Sequence, residues 1–258
     1  MTNIISIVSN KGGNGKTTTT LNLAGALNER GLKVLLIDAD PQSNLSTVFG
    51  LTNKSENIKS LGHILLDLIN INDAILHNNE MDLDIITASN QMYDLESVIF
   101  SKEFSYDFLN ERLAQLKIKY DFILIDNAPS LGTFFTNSLV ASNYILIPVV
   151  AEFFSYEGLE KLHSHYLKIK QKANPNLDLL GLLINNDSKN GRTIIGKTIK
   201  QEIRNAFPSK IFKTELGSYI SIIESQNDGK NVFKYAPNSK VTDQYRELAK
   251  EVLSKVIK

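Results

Sequence analysis

The sequence predicts a doubly wound α/β fold, in which helices cover both faces of a mostly parallel β-sheet. Short apolar segments alternate along the chain with helix-like segments, and each apolar segment is continuous rather than alternating. Continuous apolar strands are expected where both faces of a parallel sheet are covered. Alternating strands and helices imply right-handed crossovers within one sheet.

Apolar runs predict six strands, at Ile4–Val8, Val34–Ile37, Leu83–Ile86, Phe122–Ile125, Tyr144–Val149 and Leu179–Ile184. Helices are predicted near residues 16–30, 60–69, 104–117, 132–141, 156–172 and 193–206, with a final one over Ser239–Val256. A length of 258 residues suits one large α/β domain better than two, so residues 1–258 are expected to form a single domain. The first strand begins so early that we expect no N-terminal helix-turn-helix extension.

Composition excludes several kinds of chemistry. The chain is 42% hydrophobic and 22% charged, as in ordinary soluble proteins. It contains no cysteine, which excludes disulfides, thiolate zinc sites and iron–sulfur clusters. We find no secretion signal and no run of the roughly 18 apolar residues that span a bilayer. The sequence therefore predicts a cytoplasmic protein with no membrane-spanning segment.

The segment KGGNGKTT, residues 11–18, lies between the first strand and a helical pattern, as a Walker A motif requires. Its glycines let the backbone turn tightly and direct N–H groups at phosphate oxygens. Lys16 is expected to reach the β- and γ-phosphates, and the Thr17 hydroxyl to bind Mg²⁺. The alternative is a glycine-rich turn with incidental lysines.

Aspartates follow two of the predicted strands. Asp38 and Asp40 end the second strand, and Asp126 follows four apolar residues in the form of a Walker B motif. Asp126 is expected to hold Mg²⁺ through its water shell, and Asp40 to orient the water that attacks the γ-phosphate. The alternative is that these aspartates only cap the following turns. The predicted metal-binding residues are Thr17, Asp38 and Asp126.

The glycine loop departs from the usual pattern, because Asn10 occupies the first glycine position and Lys11 follows it. The pattern K-G-G-x-G-K-T resembles the deviant Walker A of the ParA/MinD family of P-loop ATPases. IDADPQSNLS and IDNAPSLG also resemble ParA segments, and YAPNSKVTDQYRELAKEV resembles the closing helix of ParA/Soj proteins. A further segment is similar to the family at Pro148, Glu152, Glu157, Gly158 and Leu159.

The resemblance implies an ATP-dependent homodimer, in which Lys11 touches the phosphates bound by the other subunit. A cation supplied by the other subunit stabilises the dimer only when ATP is present. Asn185 matches an asparagine that reads the adenine edge. The implied catalytic residues are Lys11, Lys16, Asp40 and Asp126. The implied nucleotide-binding residues are Lys11, Gly12, Gly13, Asn14, Gly15, Lys16, Thr17, Thr18 and Asn185.

Three departures from the family pattern are visible. Asn14 replaces a valine, and we expect little effect because the backbone binds the phosphates. Ala128 replaces the first proline of a pair, which predicts a more flexible loop after Asp126. The usual I-P is missing near Leu216–Gly217, where the family encloses the adenine, so base contacts there stay open.

Net charge is zero, but basic residues concentrate between positions 188 and 213. In the predicted helix 193–206, an apolar stripe lies opposite a cationic face, which predicts binding of nonspecific double-stranded DNA. A solvated basic face is the alternative. The candidate DNA-binding residues are Lys189, Arg192, Lys197, Lys200 and Arg204.

The resemblance then implies a DNA partition ATPase at the nucleoid, released from DNA by hydrolysis that a ParB-like partner stimulates. The alternative is a MinD-like or other cargo-positioning ATPase that binds a membrane or a protein scaffold. The C-terminal helix lacks aromatic residues after Tyr245 and carries Glu247 and Glu251, which disfavours the membrane.

Overall fold

The protein is described by a computed structural model that covers residues 2–51, 59–150, 155–186 and 194–256. These residues form one eight-stranded sheet in the order β3-β4-β2-β5-β1-β6-β7-β8. β3 pairs antiparallel with β4, and every other pairing in the described sheet is parallel. The doubly wound fold predicted from the sequence is confirmed.

The strands are β1 Asn3–Ile7, β2 Val34–Ala39, β3 Leu76–Asn78, β4 Leu83–Ile86, β5 Phe122–Asn127, β6 Tyr144–Val150, β7 Asp178–Asn186 and β8 Ile211–Gly217. The helices are α1 Lys16–Asn28, α2 Asn44–Val48, α3 Leu61–Leu65, α4 Met92–Phe100, α5 Phe108–Leu113, α6 Thr133–Ala141, α7 Ser155–Lys172, α8 Ile194–Ala206, α9 Ile220–Asn227, α10 Val232–Tyr235 and α11 Lys240–Val256. A 3₁₀ turn spans Ile71–Asp73.

Two of the predicted helices are wrong in extent. The helix expected at 104–117 is reduced to α5, because Phe104 has φ 53°, a left-handed conformation that a helix does not accommodate. The helix expected at 60–69 ends at Leu65, and Asp67 with φ 60° turns the chain away. Helix α4 lies between them in the chain and is not among the predicted helices.

Helices cover both faces of the sheet. On one face, α1, α10 and α11 pack on the strands through buried residues such as Leu23, Val232 and Leu248. On the other face, α3 to α6 cover one half and α6 to α8 the other. Among the helices of the described residues, none combines the length and apolar character that crossing a bilayer requires.

Strand order brings the predicted site together at one edge. β5 lies between β2 and β1, and its register places Asp38 beside Asp126 and Ile7 beside Asp126. The loop between β1 and α1 leaves from the same edge. In open α/β sheets this carboxyl edge is where ligands bind.

Candidate nucleotide-binding site

The glycine loop has the backbone shape of a phosphate-binding loop. Gly13 and Gly15 have φ 80° and 81°, in the left-handed region that favours glycine. Gly15 is also the N-cap of α1, so the loop ends at the positive end of a 13-residue helix. A Cβ at Gly15 would lie 2.5 Å from the side-chain nitrogen of Asn185, so no larger residue fits there.

Asn185, at the end of β7, closes one side of this loop. Its Nδ2 donates a hydrogen bond of 2.5 Å to the Asn14 carbonyl, while its buried Oδ1 has no partner among the described residues. A cavity of about 550 Å³ opens beside it and is lined by the loop, by Leu216–Ser218 and by α9. The chain near Leu216–Gly217 therefore lines this cavity despite lacking the I-P pair.

Lys16 is buried at the start of α1, with only 7% of its surface exposed. Its Nζ donates to the Lys11 carbonyl at 3.3 Å. Burial lowers the pKa of Lys16, while the charges of Asp126 and Asp40 oppose that shift. A buried cation between two carboxylates and a glycine loop is suited to holding a phosphate.

Thr17 and Asp126 form the chemical centre of the site. The Thr17 hydroxyl donates to Asp126 Oδ2 at 2.6 Å. The other oxygen of Asp126 is buried and has no hydrogen-bond partner among the described residues. Burial first, and then the charge of Asp38, raise the pKa of Asp126 well above its ordinary value. A hydroxyl and a carboxylate without a hydrogen-bond partner are oxygen ligands that fit Mg²⁺. A divalent cation would offset the free-energy cost of burying the charge of Asp126.

Asp38 lies next to Asp126 but its oxygens are engaged. Oδ1 accepts the Asp40 N–H at 3.1 Å, and Oδ2 accepts both the N–H and the hydroxyl of Ser46, at 2.8 and 2.7 Å. Burial raises the pKa of Asp38 to about 7. These bonds fix the chain that follows β2, so a metal-binding role for Asp38 stays a prediction.

Asp40 directly follows β2 and lines the site. It is 8% exposed, and its Oδ1 accepts the Gln42 N–H at 2.9 Å. It lines a second cavity of about 570 Å³ together with Lys16, Thr17 and Gly13. Asp40 therefore shares this cavity with the loop, and its role in orienting the attacking water stays a prediction.

The buried side chain of Asn14 is a feature that sequence reasoning missed. Its Nδ2 donates to the Ser9 hydroxyl at 2.6 Å, and the same hydroxyl accepts the Lys11 N–H at 3.5 Å. Asn14 thereby braces the segment that carries Lys11. Next to it, an added Cβ at Gly158 would lie 2.4 Å from the Asn10 side chain, so this glycine of α7 lets the loop pack closely.

Thr18 connects the loop to the C-terminal helices. Its hydroxyl accepts a hydrogen bond from Gln226 Nε2 of α9 at 3.1 Å, and its carbonyl one from the Tyr245 hydroxyl of α11 at 3.4 Å. No motif in the sequence indicated Gln226, because its role depends on a contact between residues 208 positions apart.

The predicted cationic face of α8 is partly neutralised. Lys200 and Arg204 both pair with Glu215 of β8, at 3.0 and 2.6 Å, so they do not form the open basic row that the helix pattern predicted. No strand was predicted at β8, so the position of Glu215 next to this helix could not be predicted either. Lys197 is exposed. Lys189 and Arg192 lie outside the described residues, as does Glu152.

The site has the features of a P-loop nucleotide-binding protein. They are a glycine loop at a helix N-terminus, a buried lysine, and a threonine–aspartate pair at the carboxyl edge of a parallel sheet. Comparison with known proteins narrows this class. The family described as AAA domain matches residues 2–179. The sporulation initiation inhibitor protein Soj of Bacillus subtilis is 34% identical over 252 residues, covering 98% of each chain.

The chromosome partitioning protein ParA of Myxococcus xanthus is 32% identical over 255 residues, which cover 98% of this chain and 88% of that protein. A plasmid partition protein of Borrelia burgdorferi B31, solved with AMPPNP bound, superposes with a TM-score of 0.81 at 25% identity, covering 99% of this chain and 100% of the other. The chain therefore belongs to the ParA/Soj family of P-loop ATPases, and the resemblance read from its motifs is confirmed.

Proposed function

We propose that the chain is a Mg²⁺-dependent DNA partition ATPase that binds ATP as a homodimer. The observation that carries the proposal is the pair of Thr17 and Asp126 beside the buried Lys16. The Borrelia relative supports the nucleotide, because it was solved with an ATP analogue. The Soj and ParA relatives support the biological process.

Thr17 and Asp126 are the residues that would hold Mg²⁺. When bound, the ion would supply neutralisation of the charge on the phosphates during transfer. Lys16 and the N–H groups of the loop bind the phosphate oxygens. Asp40 orients a water for attack on the γ-phosphorus, the bond to the bridging oxygen breaks, and ADP and phosphate leave.

Lys11 supplies the dimeric part of the proposal. It lines the 550 Å³ cavity beside the loop, on a segment that Ser9 and Asn14 hold in place. In the dimer, the side chain of each Lys11 neutralises the phosphates bound by the other subunit. Dimerisation then depends on ATP, because without the phosphates two cations would face each other.

The ATP dimer binds nonspecific DNA, and a ParB-like partner stimulates hydrolysis and release. Two copies of the basic region double the number of phosphate contacts, and nonspecific affinity rises steeply with that number. The exposed Lys197 belongs to this region, and Lys189 and Arg192 complete it in sequence. We place the protein at the nucleoid in the cytoplasm on this ground.

The alternative of a membrane-binding C-terminal helix has less support. The apolar stripe of α11 packs on the domain, with Leu248 and Val252 fully buried and Val256 against the same core. A helix whose apolar face is already buried has none to insert into a lipid surface.

A DNA-retention assay tests the proposed function. Wild-type protein is passed over immobilised nonspecific duplex with ATP, ADP or no nucleotide, at several salt concentrations. We expect retention with ATP alone, weakening steeply with salt, and none for Lys16→Ala. Equal retention in all three nucleotide states would contradict ATP control of DNA binding.

A further inference from the structure

Helix α4 contacts both of the loops that follow the candidate catalytic aspartates. The side-chain amide of Gln42, two residues after Asp40, is hydrogen bonded to the Tyr93 hydroxyl. The backbone N–H of Thr133, which follows the Asp126 loop, donates to Glu96 Oε1 at 2.7 Å. Tyr93 and Glu96 are three residues apart on α4 and so lie on the same side of it. One turn of α4 therefore binds both loops.

The bond to Thr133 fills a gap that the sequence leaves in α6. Thr133 is the first residue of that helix, and its N–H is among those that have no partner within a helix. The preceding Gly132 has no side chain with which to cap it. Glu96 supplies the cap from another helix, and its negative charge faces the positive end of the α6 dipole.

Gly132 is shaped for this contact. A Cβ at Gly132 would lie 2.3 Å from Glu96 Oε1, far inside van der Waals contact. Its φ of −85° is one that any residue adopts, so the backbone does not require glycine. The chain thus has a carboxylate at position 96 and no side chain at position 132, and the two features fit each other.

A cavity of about 240 Å³ lies between α4 and the two loops. It is lined by residues of all three segments, among them Asp40, Pro41, Tyr93, Glu96 and Pro129. The two loops are therefore separated by a cavity, and the hydrogen bonds of α4 connect both of them to one helix.

We propose that Glu96 is a positioning residue for ATP hydrolysis. It holds the N-terminus of α6 and, with Tyr93, keeps the loops after Asp40 and Asp126 in one fixed arrangement. Glu96 acts through the Thr133 N–H and not on the substrate. Phosphoryl transfer depends on such positioning, because little covalent chemistry is left to the protein. This inference rests on the proposed ATPase function.

The first test replaces Glu96 by alanine, with Glu103→Ala as the matched control at an exposed glutamate just after α4. We expect kcat to fall about tenfold for Glu96→Ala, because displacement of a catalytic loop is costly, and to stay unchanged for the control. Binding of a fluorescent ATP analogue should change by less than about twofold, because uniform binding is kept. Glu96→Gln retains an oxygen that accepts the same bond, and should recover part of the rate. The concentration of active protein is determined by titration with the analogue, so that a misfolded fraction does not lower the kcat that is calculated.

The second test uses Gly132→Ala, which leaves Glu96 in the chain but displaces it. We expect kcat to fall to a similar extent, and the double variant Glu96→Ala/Gly132→Ala to lose no more than either single one. Losses that multiply would show that the two positions act independently and would overturn the proposal.

An unchanged kcat in Glu96→Ala, beside an active wild type, also overturns it. Lack of turnover in the wild type contradicts the proposed function instead, and hydrogen exchange then decides on the contact. The Thr133 amide should exchange faster in Glu96→Ala than in Glu103→Ala. Equal exchange in the two variants would show that Glu96 does not hold α6.

Discussion

At the scale of single residues, the site depends on placing charges where water cannot stabilise them. Asp126 is buried beside Asp38, and burial raises the pKa values of both carboxyls. Lys16 experiences the opposite shift, because burial disfavours its charge as well. A triphosphate with a divalent cation would satisfy all of these groups at once. The arrangement of these residues therefore suits that ligand.

Asp40→Ala tests the assignment of the water-orienting residue. The variant should bind ATP and form dimers, since the hydrogen bond of the Asp40 carboxylate to the Gln42 N–H lies within its own turn. Its hydrolysis rate should fall at least about 100-fold, the usual effect of losing a positioned base. Phosphate release in single-turnover experiments measures it. Unchanged turnover would move the role to another residue.

Asn14→Val restores the residue usual in the family and tests the brace on the Lys11 segment. We expect the free energy of unfolding to fall by about 1 kcal/mol, because the buried Ser9 hydroxyl loses its partner. Chemical denaturation measures this. The double variant Ser9→Ala/Asn14→Val removes both partners and should recover most of the loss. A single variant as stable as wild type would show that the bond contributes nothing.

At the scale of elements, sequence patterns located the strands and the loop and missed the contacts between distant elements. The six predicted strands are all present. Continuous apolar runs indicate strands that are covered on both faces, as in a parallel sheet. β8 was missed because IFKTELG mixes exposed and buried residues at a sheet edge. The candidate site followed from local motifs. Gln226 and Glu96 did not, because only the fold brings them to it.

Lys197 and Lys200 of α8 were predicted to have the same role, but only Lys200 is shown paired with Glu215 of β8. Lys197→Glu should weaken ATP-dependent retention on DNA and leave the thermal unfolding midpoint unchanged, because Lys197 is exposed. Lys200→Glu should lower that midpoint by several degrees, since it places a second negative charge against Glu215. Retention assays and thermal melts on both variants separate the effects. Intact retention for Lys197→Glu would place the DNA-binding residues elsewhere.

At the scale of the whole molecule, the two ends of the chain meet at the phosphate loop. The first turn of α1 contacts both α9 and α11, because Thr18 is hydrogen bonded to Gln226 and to Tyr245. The 550 Å³ cavity lies at this junction, and Lys11 is among the residues that line it. In the dimer that we propose, the second subunit covers this cavity and the nucleotide in it.

Sedimentation velocity of the wild type, Lys11→Ala and Lys16→Ala, each with ATP, with ADP and without nucleotide, tests this closure most directly. A dimer is predicted for the wild type with ATP only. Lys16→Ala should stay monomeric because it binds no nucleotide, whereas Lys11→Ala should bind ATP and still stay monomeric. Normal ATP-dependent dimers of Lys11→Ala would contradict the claim that each subunit lends this lysine to the phosphates of the other.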